Sequence, residues 1–236
     1  MADLVVLVMG NICAGKSTFV DYVEKNKDLV KSKIGLGVNI FPEFLDPVWR
    51  EEFYEDRKDN TYGFELDCLS SRIARHRRAK RKKDLFIFDR GMIEGGEIFA
   101  YNSYREGYLK RREFLEYEER LFDALDELDR TKEDVDKWLE KLIIYLEVKD
   151  PNILVRRNKQ RAQEQGVEVV PADYLKRIND RYTHVVNNIH KIYDGKYAVP
   201  VPEVLRIDAS QDMNRNGDYH AECLNLMLDK IKLMQN

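Results

Sequence analysis

The chain is short of cysteine, of long apolar runs and of any excess of positive charge, and each shortage removes a class of protein. Its three cysteines, Cys13, Cys68 and Cys223, stand far apart, are odd in number and match no metal-ligand spacing. That usage argues for a reducing compartment. No apolar run reaches the roughly 18 residues of a membrane span, and the start MADLVVLVMG has neither a basic leader nor a cleavage region. The expectation is a soluble, cytoplasmic protein with no membrane partner. The 40 Lys plus Arg face 43 Asp plus Glu, for a net charge of -3, so no global field draws the chain onto nucleic acid. Internal repeats and low-complexity linkers are missing too, and 236 residues fit one domain near the upper end of the usual range.

What is present is an alternation of short apolar runs with longer polar-periodic segments, the pattern of an α/β fold with helices around a mainly parallel sheet. It predicts strands at Leu4 to Met9, Gly37 to Phe41, Leu85 to Asp89, Leu142 to Glu147 and Val204 to Ile207. Helices are predicted at Ser17 to Asn26, Tyr62 to Arg81, Ile93 to Tyr101, Arg111 to Leu128, Asn152 to Gln163, Pro171 to Tyr193 and His220 to Met234. Asp194 to Glu203 and Met213 to Asp218 read as loops. The most basic run, RIARHRRAKRKK at 72–83, reads as a solvated helix end, with a polyanion patch as the competing reading.

The segment GNICAGKST follows the first strand and opens the first helix, and Gly10 to Ser17 fits GxxxxGK[ST] without a mismatch. In such a loop the backbone N–H groups of Gly10, Asn11, Ile12, Cys13, Ala14, Gly15, Lys16, Ser17 and Thr18 cradle phosphates. Lys16 reaches the outer phosphates of ATP, and the Ser17 hydroxyl helps to hold magnesium. Cys13 is a small filler rather than a nucleophile. LFIFDRG at 85–91 ends a strand in Asp89 and Arg90, placing a carboxylate that can join Ser17 at magnesium on the same sheet edge. NIFPEFLDPVW at 39–49 delivers Glu43 there, the candidate to take a hydroxyl proton, with Asp46 as a competitor. In NILVRRNKQRAQEQG at 152–166, Arg157 and Arg161 lie four apart and share a helix face, which suits a cover that neutralises the transferring phosphoryl group and excludes water.

Within FELDCLSSR at 64–72, Glu65 and Arg72 are seven apart on one helix face, an acid and a donor able to read the edge of a base. An ionised carboxylate only accepts, so it matches guanine N1–H and N2–H, while Arg72 donates to O6 or N7. Guanine is therefore weakly favoured. Trp49, Phe64 and Phe99 are the aromatics that could sandwich the base, and Tyr54 and Glu164 could address a sugar hydroxyl.

GNICAGKST, the PE of FPEF followed by Trp49, the helix FELDCLSSRI, Asp89–Arg90 followed by IFA at 98–100, and the arginines before EQG at 164–166 together resemble the deoxynucleoside kinase family. The resemblance spans roughly residues 4–232. It implies a P-loop-type, five-stranded parallel sheet wrapped by helices, with an arginine-bearing lid, in a homodimer that moves the gamma phosphate of ATP to the 5′ hydroxyl of a deoxynucleoside acceptor. By the same resemblance Glu43 is the general base, Asp89 the acid at magnesium, Arg90 the arginine near the 5′ oxygen, Arg157 and Arg161 lid members, and Tyr54 and Glu164 the pair at the 3′ hydroxyl. The chain departs from the family pattern in having Glu65 where FQ is usual, Gly91 and Gly95 after Arg90, and RAQ in the lid. Those glycines suggest space for an acceptor that already carries a phosphate, with Glu94 and Glu97 as acids that would repel it. The alternatives are thus a deoxynucleoside monophosphate kinase, a non-catalytic P-loop assembly protein and, last, a nucleic-acid module using the basic run.

Overall fold

Five short runs rich in β-branched and aromatic residues pair side by side, all parallel, in the order β2-β3-β1-β4-β5. They are β1 (Leu4–Met9), β2 (Gly37–Phe41), β3 (Asp84–Asp89), β4 (Leu142–Glu147) and β5 (Glu203–Asp208), each within a residue of its predicted bounds. The computed structural model describes residues 4–79, 84–130, 139–167, 169–211 and 217–235. Every residue of β1 is buried, as a central parallel strand with helices on both faces must be.

Alternate strand residues feed two cores. Val5, Leu7, Phe86, Phe88, Ile143 and Tyr145 face one side with α4 (Arg57–Arg78), α7 (Arg111–Arg130) and α9 (Ala172–Asn187). Val6, Val8, Ile87, Ile144 and Leu146 face the other, under α1 (Lys16–Lys25), α2 (Lys27–Ile34) and α10 (Gly217–Gln235). No helix among the described residues is long and apolar enough to cross a membrane.

The register places the chemistry. Val8 lies beside Asp89, and Phe41 beside Phe88. The loop after β1, the segment after β2 and the end of β3 therefore emerge at one sheet edge, where parallel α/β sheets bind their ligands.

Several elements differ from expectation. The helices α2 and α3 (Pro47–Glu55) were not foreseen. Asp46 is the N-cap of α3, accepting from Val48 N at 2.8 Å, which removes it as a rival base to Glu43. Similarly, Asp56 caps α4 through Lys58 N at 2.9 Å and starts that helix five residues before the predicted Tyr62. The single helix expected at 93–101 is instead α5 (Met92–Glu94), a π-helical turn over Gly95–Ala100 and α6 (Tyr101–Arg105). Asp194–Glu203 is not simply loop: a second π turn covers Lys191–Lys196, and Tyr197 and Val199 are buried. The other expected loop lies mostly outside the described residues, and α10 already begins at Gly217. In α8 (Pro151–Gln165) the arginine-bearing segment is helical to its end at Gly166.

Candidate active site

The phosphate loop takes its shape from two left-handed residues, Cys13 at φ 64° and Gly15 at φ 93°, and from the close approach of Gly10 to the Leu146 carbonyl. No side chain caps the start of α1, so its first N–H groups are offered to an anion. Lys16 Nζ folds back onto Gly10 O at 2.8 Å and Asn11 O at 3.1 Å. Burial and the neighbouring Arg90 charge bring its pKa down to about 8. Asn11 anchors the loop to α9 through the Leu175 carbonyl at 2.9 Å. Burial raises the Cys13 thiol against the pull of Arg161, Lys16 and Arg157, which keeps it protonated and unreactive.

The Ser17 hydroxyl donates to Asp89 Oδ2 at 3.2 Å, and Asp89 Oδ1 is buried without a hydrogen-bond partner. A hydroxyl and an orphaned carboxylate oxygen beside a phosphate cradle fit magnesium, which takes few protein ligands and fills its remaining positions with phosphate oxygens and water. No cluster of three acidic, His or Cys ligands occurs among the described residues, and magnesium at such a site needs none.

Glu43 sits between two guanidiniums, with Arg90 Nε at 2.7 Å and Arg72 Nη2 at 3.1 Å. Burial alone would raise its pKa, but Arg90 and then Arg72 outweigh it and hold the carboxyl at about 2. Arg90 has a left-handed backbone, φ 64°, and lies over the Phe99 ring at 4.4 Å. Its Nη1 donates to Tyr182 Oη at 2.8 Å, and that hydroxyl donates to Glu94. Glu94 also accepts from Gly91 N at 3.1 Å, and burial raises its pKa.

An apolar cavity of about 160 Å³ is lined by Glu43, Phe64, Glu65, Arg72, Arg90 and Phe99. Ser103 donates to Glu65 Oε1 at 3.0 Å, and burial pushes this carboxyl up to about 7 against the pull of Arg72, Ser103 and Arg57. Arg72 spends one nitrogen on Glu43, while its buried Nε and Nη1 have no partner. Phe53, Arg57 and Tyr174 complete the wall, and sequence reasoning missed all three. Arg57 lies eight residues before Glu65 on α4, a spacing that could have pointed to it.

The structure thus brings Glu43, Phe64, Glu65, Arg72, Arg90 and Phe99 to one cavity, next to Lys16, Ser17 and Asp89. It does not bring Trp49 there. The Trp49 ring lies on Gly63 of α4, with ring carbons 2.5 Å from where a Cβ would stand. Glu164 is exposed on the last turn of α8, accepts from Gln160 one turn back at 2.8 Å and does not line the cavity. The Tyr54 side chain lies outside the described ones. Arg157 donates to Cys13 O at 3.4 Å and to Ser210 O at 3.2 Å, so it faces the phosphate loop, as does the half-buried Arg161.

Two further expectations are corrected. The space foreseen at the glycines is filled. A Cβ at Gly95 would stand 2.1 Å from Arg72 Nη1, one at Gly96 2.7 Å from Leu121, and one at Gly91 2.8 Å from Glu140. Nor is the described part of the basic run wholly solvated, because Arg72, Arg75 and His76 turn inward; residues 80–83 lie outside the described ones.

The sequence profile of the family described as Deoxynucleoside kinase matches residues 6–231. The chain is also similar to Deoxycytidine kinase 1 of Xenopus laevis, at 24% identity over 252 residues, covering 95% of this chain and 88% of that protein.

Proposed function

The chain belongs to the deoxynucleoside kinase family and is an ATP-dependent kinase of deoxynucleosides; from that premise we propose that Glu43 accepts the proton of the acceptor's 5′ hydroxyl as the gamma phosphate of ATP arrives. The observation that carries this reading is the position of Glu43. It lines the apolar cavity and is gripped by Arg90, whose strand end also carries Asp89 beside Ser17. A carboxyl held near 2 is a weak base, so the proton leaves late. That suits a loose transition state in which the nucleophile need not be ionised early.

Lys16 and the free amides at the start of α1 hold the donor phosphates. Ser17 and Asp89 would hold magnesium, which would offset the charge of the donor phosphates. Arg157 and Arg161 neutralise the transferring group from above the loop, and Arg90 keeps Glu43 aimed at the acceptor. Replacing Glu43 by Gln tests the assignment. Turnover should fall by about 100- to 10,000-fold with a small change in acceptor KM. Equal losses in acceptor binding and turnover would make Glu43 a binding residue instead.

The base lies between Phe64 and Phe99, with its edge against Glu65 and Arg72. Ionised, Glu65 takes both guanine hydrogens, and Arg72 donates to O6 or N7. A second reading is favoured by the raised Glu65 carboxyl. As a neutral acid it donates one hydrogen bond and accepts another, like an amide, which matches cytosine or adenine, and the Xenopus relative is named for deoxycytidine. The acceptor is an unphosphorylated nucleoside, because the glycine space that a second phosphate would need is filled.

A further inference from the structure

We propose that Arg75 is a positioning residue for phosphoryl transfer, its buried guanidinium clamping the strand end that carries Glu43 to the strand end that carries Asp89 and Arg90. This inference rests on the catalytic assignment above. The two N–H groups of Arg75 Nη1 are shared among Phe41 O at 3.1 Å, Pro42 O at 2.9 Å and Asp89 O at 2.8 Å, and Nη2 donates to Arg90 O at 3.1 Å. Two of these carbonyls belong to the segment leading into Glu43 and two to the segment that bears Asp89 and Arg90.

The need for such a clamp follows from the sequence. The ladder between β2 and β3 ends at Phe41↔Phe88, and the next residue, Pro42, has no N–H with which to extend it. Beyond that rung the strand ends would separate, leaving carbonyls buried and unsatisfied. Arg75 supplies the missing donors from α4. It does so where the backbone is strained, since Arg90 adopts φ 64°, a conformation that persists at functional sites only when its surroundings over-determine it. A planar guanidinium reaches acceptors on two sides at once. An ammonium is a point donor and cannot span them in the same way. The side chain is 7% exposed, so its donors serve the interior, and burial together with Arg72 lowers its pKa only to about 10, leaving it charged at neutral pH.

The test compares Arg75→Lys, Glu43→Gln and the double variant in the full chain, at saturating ATP, magnesium and deoxynucleoside. Arg75→Lys should lower kcat by about a hundredfold, the scale of a small misplacement of reacting groups, with the KM for ATP unchanged within about threefold. The double variant should be no slower than Glu43→Gln within about threefold, because Arg75 acts through Glu43. Full kcat in Arg75→Lys, or losses that multiply in the double variant, would overturn the proposal. A second readout does not use activity: amide exchange at Arg90 and Gly91 should accelerate at least about tenfold in Arg75→Lys. Unchanged exchange there overturns the clamp even if kcat falls. Faster exchange in a protein whose unsubstituted form phosphorylates no deoxynucleoside would support the clamp and refute only the catalytic reading. Should Arg75→Lys fail to fold, Arg75→Gln carries the same comparisons.

Discussion

If Glu65 meets the base as proposed, base choice in this kinase should change with pH, because burial pushes that carboxyl up to about 7. Glu65 is buried at the end of the cavity, bonded to Ser103, and Arg72 turns its charge to Glu43 instead. With the carboxyl at about 7, about nine-tenths of molecules are ionised at pH 8 and about one-tenth at pH 6. The guanine edge needs the carboxylate; the cytosine edge needs the acid. From pH 6 to pH 8 kcat/KM for deoxyguanosine should thus rise about tenfold and that for deoxycytidine fall about tenfold, a change of about a hundredfold in their ratio. Taking the ratio at fixed ATP and magnesium cancels Lys16 and Glu43, which serve both acceptors alike. The assay is initial-rate phosphorylation of the two nucleosides across this range, with Glu65→Gln as control. The amide does not titrate, so its ratio should be flat and shifted towards deoxycytidine. A ratio that moves less than about threefold in the unsubstituted enzyme, or moves equally in Glu65→Gln, would refute the reasoning.

Asp89→Asn should raise the magnesium needed for half-maximal rate by about 10- to 100-fold, more than it raises the KM for ATP; a magnesium titration at fixed ATP decides. Tyr182→Phe removes the hydroxyl that accepts from Arg90 and donates to Glu94, so denaturant melts should show a loss of about 1–3 kcal/mol, and an unaltered midpoint would remove the bridge from the account. Gly95→Ala sets a Cβ 2.1 Å from Arg72 Nη1 and forces that guanidinium off its seat. Acceptor KM should rise by about tenfold, equivalent to about 1.4 kcal/mol, while the KM for ATP holds, and the opposite pattern would count against Arg72 as a base reader.

What could be read in the sequence follows from how local each signal is. The strands are visible because burial on both faces leaves near-continuous apolar runs such as LVVLVM, and the phosphate loop because its glycines and Lys16 answer to backbone geometry within eight residues. Short elements are weaker. The helix α2 has eight residues, little room for a periodic signal, and α3 announces itself only by Asp46 before Pro47, a cap that resembles a turn acid. Contacts across the fold leave no local mark at all. Nothing in spacing says that Gly63 will receive the Trp49 ring, or that Arg75, inside the most basic run of the chain, turns inward to four carbonyls. Glu97 reads as a stray acid until its partners are seen: Lys196 at 2.6 Å, Arg181 at 2.7 Å and Tyr197 at 2.8 Å, all 84 or more residues away in sequence.

The same buried charges also sort donor from acceptor. At the cavity end each cation has an acid: Arg72 and Arg90 share Glu43, and Arg90 has Glu94 within 3.5 Å as well. A phosphate entering there would meet charge already neutralised and a carboxylate besides, so desolvating it would bring little return. At the loop end the balance differs. Lys16 donates to the Gly10 and Asn11 carbonyls, which a phosphate oxygen can replace, and the Arg161 Nε is buried without a partner. On the proposed roles, Lys16 and Arg161 therefore offer positive charge where a triphosphate would be gripped, while the arginines at the cavity are already paired with acids where the sugar hydroxyl would stand, an asymmetry that fits transfer from a charged donor to a neutral acceptor.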